Sequence, residues 1–300
     1  MPADHVQFME RAKLLSFEEI ERVARVGVFL GINKLRLTGG EPLVRKDLPL
    51  LVEKLAAIDG IIDIGLTTNG VLLAEQAASL RNAGLHRLNI SLDALDPKVF
   101  AKVTRRDGYD KVIAGIRAAR DAGFNPIKIN AVAIRGLTED QLAPFASLAR
   151  TTNTEVRFIE FMPLDADSNW QHDKVLPASE IISKLEASFG PLTKTNLPTD
   201  RSPSSDYTFA DGVGKIGVIP SVTAPFCASC NRFRMTADGK LRNCLFSLEE
   251  TDIRSLLRSD GTDVQIADAM VSCIAAKKAG HQINSPDFVQ PDRPMYSIGG

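Results

Sequence analysis

Cys227, Cys230 and Cys244 are three of the four cysteines in this 300-residue chain, spaced C-x2-C-x13-C. Clustered thiols of this kind, in a reducing compartment, serve as metal ligands or redox groups more often than as a disulfide framework. Between the second and third cysteines, "RFRMT" and "KLRNC" flank Asp238-Gly239, a dipeptide that favours the tight turn of a β-hairpin. Two strands folding back there bring Cys244 towards Cys227 and Cys230. A structural zinc needs four protein ligands. The remaining cysteine, Cys273, lies in "VQIADAMVSCIAAKKAG" with Ile266, Met270 and Ile274 at helical spacing, as a core residue would, and His281 is the substitute ligand on offer. An iron-sulfur cluster on three thiolates instead leaves one iron with a position that a substrate atom could take. Spacing alone leaves zinc, a cluster and an incidental grouping open.

Charged groups near the thiols narrow the chemistry. Period two along "RFR" puts Arg232 and Arg234 on one face of the hairpin, and two guanidinium groups beside a metal site point to an anionic ligand. Lys128, in the strand pattern "PIKINAVAI", is costly to bury without an anion, although a lysine at a rim can also snorkel to water. "TGGEP" and "TTNG" follow strand patterns and read first as tight turns, with glycines that also let a ligand approach the backbone. Gly299-Gly300 reads as a frayed tail, and His5, His86, His172 and His281 form no spaced cluster.

The elements that must position these residues alternate in kind from Ser16 to Gly190. "SFEEIERVARVGVFLG" is an amphipathic helix with a Ser16/Glu19 capping box, and "KLRLTGG" is a strand entering a glycine turn. The same alternation runs through "DLPLLVEKLAAI", "IIDIGLTTNG", "LAEQAASLRNAG", "HRLNISLD", "YDKVIAGIRAARDAG", "PIKINAVAI", "TEDQLAPFASLART", "EVRFIEFMP" and "PASEIISKLEASFG". Repeated βα units predict a parallel sheet, open or rolled into a barrel, with ligands at the C-terminal ends of the strands. Those ends carry Gly39-Gly40-Glu41, Thr67 to Gly70, Ser91 to Asp93, Lys128 with Asn130, and Glu160 to Met162. The Pro/Ser/Thr-rich "PLTKTNLPTDRSPSS" reads as a linker or excursion. The expected division is residues 1–190 as a partial barrel and 191–300 as a cluster and nucleotide region.

A composition of 44% hydrophobic and 24% charged residues, with a net charge of -1, is that of an ordinary globular protein and gives bulk charge no claim on nucleic acid or membrane. No apolar run approaches ~20 residues. The opening "MPADHVQFMERAK" has no apolar leader core, so a cytoplasmic location is expected.

"LLSFEEIERV", "KLRLTGGEPLVRKDL", "GLTTNGVLL", "LNISLDALDP", "KINAVAIRG", "VRFIEFMPL", "FCASCNRFRMTADGKLRNCLF" and "RPMYSIGG" follow one another along the chain. In this order they resemble the molybdenum cofactor biosynthesis protein A family, the radical S-adenosylmethionine GTP 3',8-cyclases, over essentially the whole length. The resemblance implies a partial TIM-type βα barrel. It implies conversion of GTP to a 3',8-cyclo-7,8-dihydro nucleotide, through a 5'-deoxyadenosyl radical that abstracts the ribose 3' hydrogen and lets C3' attack C8. It makes Gly40, Ser91 and Met162 contacts of S-adenosylmethionine, and Arg36, Thr67, Lys128, Arg157, Arg232 and Arg234 contacts of GTP. Cys227, Cys230 and Cys244 become ligands of a [4Fe-4S] cluster whose open iron meets the guanine, and Gly299 and Gly300 a tail that enters the active site. Implied partners are an electron donor, a downstream cyclic pyranopterin monophosphate synthase and a second copy of the chain in a homodimer. Members of the family begin with a strand and a C-x3-C-x2-C motif followed by Met-Pro, whereas this sequence starts at Met1-Pro2. The expectation is therefore a barrel lacking its first strand and the ligands of the radical-generating cluster. The competing readings are an inactive GTP- and cluster-binding homologue and a βα-barrel enzyme with a structural zinc.

Overall fold

The computed structural model describes residues 9–164, 170–197 and 201–299. The first helix, α1 (Phe17–Phe29), starts at Ser16, whose hydroxyl accepts from the Glu19 amide while the Glu19 carboxylate accepts from the Ser16 amide. This is the predicted capping box. Strands β1 (Lys34–Leu37), β2 (Asp63–Thr68), β3 (Arg87–Ser91), β4 (Ile127–Ala133) and β5 (Thr154–Glu160) then alternate with helices α2 (Leu48–Ala56), α3 (Leu73–Asn82), α4 (Pro97–Thr104), α5 (Tyr109–Asp121) and α6 (Glu139–Thr151). After α7 (Ala178–Phe189) come β6 (Leu192–Lys194), β7 (Ser205–Phe209) and β8 (Lys215–Ile219). The sheet order is β1-β2-β3-β4-β5-β8-β7-β6, parallel from β1 to β5 and on to β8, with β7 and β6 antiparallel. This is a partial βα barrel.

The stretch read as a linker is part of that sheet. Leu192 pairs with Phe209 and Lys194 with Tyr207, so its two ends are strands and its Pro/Ser/Thr-rich middle is the connection between them. Phe209 stacks edge-on against Phe189 at 5.6 Å, an apolar anchor that composition could not reveal. The sheet thus runs past residue 190.

Alternation within the strands separates packing from chemistry. Ile64 and Leu66, Leu88 and Ile90, Ile127, Ile129 and Ala131, Val156 and Phe158, and Ile216 and Val218 are buried with Leu51, Leu55, Leu80, Ile116 and Phe145 of the helices. The core lies between sheet and helices. The intervening positions turn their side chains to the barrel interior. One row there runs Thr67, Asn89, Lys128, Glu155, Lys215, and the next Ser91, Asn130, Arg157, Gly217, Asp206. A β-carbon on Gly217 would stand 2.9 Å from the Arg157 side chain, so glycine leaves the room in which that arginine lies across the interior.

A three-stranded sheet of β9 (Arg234–Met235), β10 (Lys240–Arg242) and β11 (Thr251–Asp252) follows. Its first pair is the predicted hairpin at Asp238-Gly239, shorter than "RFRMT" suggested, since Arg232 precedes the strand. Helices α8 (Arg254–Arg258), α9 (Asp263–Ala275) and α10 (Met295–Ile298) complete the chain. Among the described residues no helix is long and apolar enough to cross a membrane.

Candidate active site

The strand exits are locked to one another before any ligand is considered. Glu41, in the "TGGEP" turn, accepts from the Thr68 hydroxyl at 2.8 Å and the Asn69 amide at 2.7 Å, joining the ends of β1 and β2. Burial raises the Glu41 carboxyl above its usual range. Glu160, at the end of β5, is fully buried and accepts from the amides of Ala178, Val222 and Thr223 and from the Thr223 hydroxyl. It belongs to the polar ring expected at the mouth, but its work is structural: it fixes the segment that leads to Cys227. Replacing Glu160 by alanine would leave buried amides unpaired and should cost roughly 2–4 kcal/mol. That loss would be seen as a lower denaturant midpoint at unchanged slope.

In the interior, Lys128 Nζ lies 2.7 Å from Glu155, which also takes Arg157 at 3.4 Å and Lys215 at 3.4 Å. Burial, with Arg157 nearby, lowers the Lys128 ammonium from its usual range, while the surrounding cations hold Glu155 low against the effect of burial. Arg157 Nε and Asn130 Oδ1, adjacent in register, are buried and have no hydrogen-bond partner among the described residues. Arg36, on β1, keeps accessible surface but stands among other cations; desolvation and then Arg87, Arg157 and Arg232 lower it to about 10. Arg234 is likewise lowered to about 10, by burial first and then by Arg232. Arg36, Arg232 and Arg234 make no ion pair with a carboxylate among the described residues, although Arg87 has Asp63.

Cys227 and Cys230 lie in a short 3-10 turn and Cys244 just past β10, where buried Arg242 bonds the carbonyls of Leu245 and Ser247 and so shapes the following loop. The three thiols are half-buried and close enough for Cys244 and Cys230 to raise Cys227 beyond the effect of its burial. Cys230 is different: burial opposes its ionisation, but Arg232 and Lys277 outweigh that and bring it down to about 7. A thiolate is the metal-binding form. Among the described residues no three His, Cys, Asp or Glu side chains close around a single-ion position. His281, the substitute zinc ligand, has its Nε2 3.0 Å from the Ser221 carbonyl and its ring against Phe246, and Cys273 is buried with Val26, Ile266 and Met270 as expected.

The tail crosses the mouth. Arg293 pairs with Asp238, in the β9–β10 turn, and with Glu250, just before β11; the Met295 amide donates to the Leu164 carbonyl, and Tyr296 lies over Gly40. The Gly299 carbonyl accepts from Arg234 Nε at 3.3 Å. Gly299 has φ +77°, and a β-carbon there would stand 2.9 Å from Thr38 Cγ2, so both conformation and space call for glycine. Gly300 lies outside the described residues. Ser91 is exposed at the end of β3, Thr67 receives a 3.4 Å contact from Asn89, and Met162 packs towards Val175, Val222 and Ile283. Arg36, Arg157, Arg232, Arg234, Gly40 and Gly299 therefore converge, with the thiols at one side. Glu155 and Lys277 were not singled out in the sequence; period two from Arg157 was the signal that could have found Glu155.

Residues 2–149 match the Radical SAM superfamily and residues 154–283 match Molybdenum Cofactor Synthesis C. A GTP 3',8-cyclase of Rhodopirellula baltica is 48% identical over all of this chain and 84% of its own length. One from Streptomyces coelicolor is 43% identical over all of this chain and 88% of its own. The crystal structure of Streptococcus suis SuiB bound to S-adenosylmethionine has a TM-score of 0.64 at 14% identity, covering 96% of this chain and 71% of that one, a likeness of fold.

Proposed function

We infer the function from one premise: the chain belongs to the GTP 3',8-cyclase family of radical S-adenosylmethionine enzymes. It is an enzyme of molybdenum cofactor biosynthesis that cyclises GTP to (8S)-3',8-cyclo-7,8-dihydroguanosine 5'-triphosphate, with S-adenosylmethionine and [4Fe-4S] chemistry as its cofactors. When bound, those cofactors supply the radical chemistry. The chain's own residues hold and orient the nucleotide.

The observation that carries the site assignment is the group Arg36, Arg232 and Arg234, cations without carboxylate partners beside three thiols. Arg36, Arg232 and Arg234, with Lys128 and Arg157, neutralise the triphosphate. Glu155 holds Lys128 and Arg157 in place beforehand, so an arriving phosphate meets preoriented donors. Thr67 shares the Lys128 row and contacts the same ligand. Cys227, Cys230 and Cys244 are the residues that would hold a [4Fe-4S] cluster, which would supply a Lewis-acidic iron beside the nucleotide site. Gly40, Ser91 and Met162, at the exits of β1, β3 and β5, receive S-adenosylmethionine. The Gly299-Gly300 tail closes the site. Radical formation consumes an electron, so an electron donor is a partner; the product passes to a cyclic pyranopterin monophosphate synthase, in the cytoplasm, and the chain acts as a homodimer.

Calorimetry on anaerobically reconstituted protein tests this reading. GTP should bind with an affinity that falls as salt rises, and ATP should bind far more weakly. Equal affinity for the two would remove guanine from the site. In turnover, the cyclised nucleotide and 5'-deoxyadenosine should form together.

The tail gives a separate expectation. Gly299→Ala forces a left-handed conformation that costs roughly 1–2 kcal/mol, and pushes against Thr38. Product formation should drop several-fold with iron content unchanged, by chromatography of the nucleotide product; full activity would return the tail to a spectator.

A further inference from the structure

Lys277 follows the last turn of α9, where a basic residue would ordinarily face the helix dipole or solvent. It does neither. Its Nζ donates to the Cys230 carbonyl at 2.9 Å, to the Arg232 carbonyl at 3.0 Å and to Cys230 Sγ at 3.3 Å. An ammonium has three donors, and all three go to the segment that carries Cys230. No carboxylate pairs with it among the described residues. The helix behind it is firmly anchored, by a Thr262/Gln265 capping box at one end and by burial of Ile266, Met270 and Cys273 against Val23, Val26, Leu241 and Ile253. Four residues before Lys277, the Cys273 carbonyl accepts from Asn243 Nδ2 at 2.8 Å, next to the third thiol. The end of α9 therefore grips both cysteine segments.

We propose that Lys277 is a positioning residue for the cluster at Cys227, Cys230 and Cys244: it fixes the Cys230 segment and keeps an N–H···S hydrogen bond to that thiolate once iron is bound. The inference rests on the cluster reading of the three thiols. A donor to a ligating sulfur draws charge from the cluster and favours the more negative, reduced form, so the bond raises the reduction potential. It also holds the ligand in place, and outer-shell contacts of this kind are typically worth 10–100-fold in metal affinity.

The test uses the 300-residue chain, reconstituted anaerobically with iron and sulfide, as wild type, Lys277→Met, Lys277→Arg, Lys278→Met and Cys230→Ser. Readouts are iron and sulfide per chain, the rate of iron release to a chelator, and the potential from a redox titration followed by electron paramagnetic resonance. Lys277→Met should release iron about tenfold faster and titrate at a more negative potential. Lys277→Arg should restore much of both, and Lys278→Met should match wild type. An unchanged potential in Lys277→Met with a full cluster overturns the inference and leaves the cluster reading intact. So does a Lys277→Arg protein that behaves like Lys277→Met while Lys278→Met shifts equally. Wild type without iron, or Cys230→Ser with a full cluster, sinks the ligand assignment and this inference with it.

Discussion

Cys230→Ser should lose the iron and the visible absorption bound at the three-cysteine site, and Cys273→Ser should keep both. The two thiols differ in surroundings rather than in type. Cys230 stands between Arg232 and Lys277, which bring it down to about 7, so a large fraction is thiolate at neutral pH. Cys273 is raised by burial and packed with Met270 and Ile266. Serine is a poor ligand for iron, and with two thiolates left a cube has no stable seat. Iron and acid-labile sulfide per chain, measured after anaerobic reconstitution, check the outcome. Stoichiometric zinc without sulfide in the wild type would overturn the cluster, and loss of iron in Cys273→Ser would mean the fourth cysteine had been misplaced.

The hairpin that gathers those thiols was legible because Asp238-Gly239 fixes a turn and the flanking residues alternate. The same kind of local signal exposed the βα units and the Ser16 capping box. What the sequence hid was long-range. Strands β6, β7 and β8 join the barrel sheet through pairings such as Leu192 with Phe209 and Arg157 with Gly217, and nothing in a Pro/Ser/Thr-rich composition announces a partner found in the fold. Glu160 looked like a mouth residue and proved to be a peg for three backbone amides, since only the fold says which donors surround it. Lys277 drew no attention in the sequence for the same reason: its three acceptors on Cys230 and Arg232 are brought to it only by the fold. The tail is the reverse case: a frayed Gly-Gly by composition, it is placed by Arg293, whose partners Asp238 and Glu250 lie far back in the chain.

Arg234→Ala should weaken GTP binding by about tenfold to a hundredfold, because a charge-assisted contact is worth roughly 1.5–3 kcal/mol and each 1.4 kcal/mol is tenfold. The environment argues for the upper part of that range. Arg234 is half-buried beside Arg232 and within reach of Arg36, and both desolvation and like charge disfavour its cation. A triphosphate arriving there relieves repulsion as well as accepting hydrogen bonds, whereas an exposed surface arginine would offer only a screened attraction. The guanidinium also holds the Gly299 carbonyl, so its loss should loosen the tail in addition. These two contributions separate by ligand. Guanosine, which lacks the phosphates, should lose far less affinity than GTP in Arg234→Ala, and the salt dependence of GTP binding should become shallower than in the wild type. Calorimetry at two ionic strengths with both ligands reads all of this at once. An unchanged GTP affinity would take Arg234 out of the site, and an equal loss for guanosine would move its contact from the phosphates to the base or the tail.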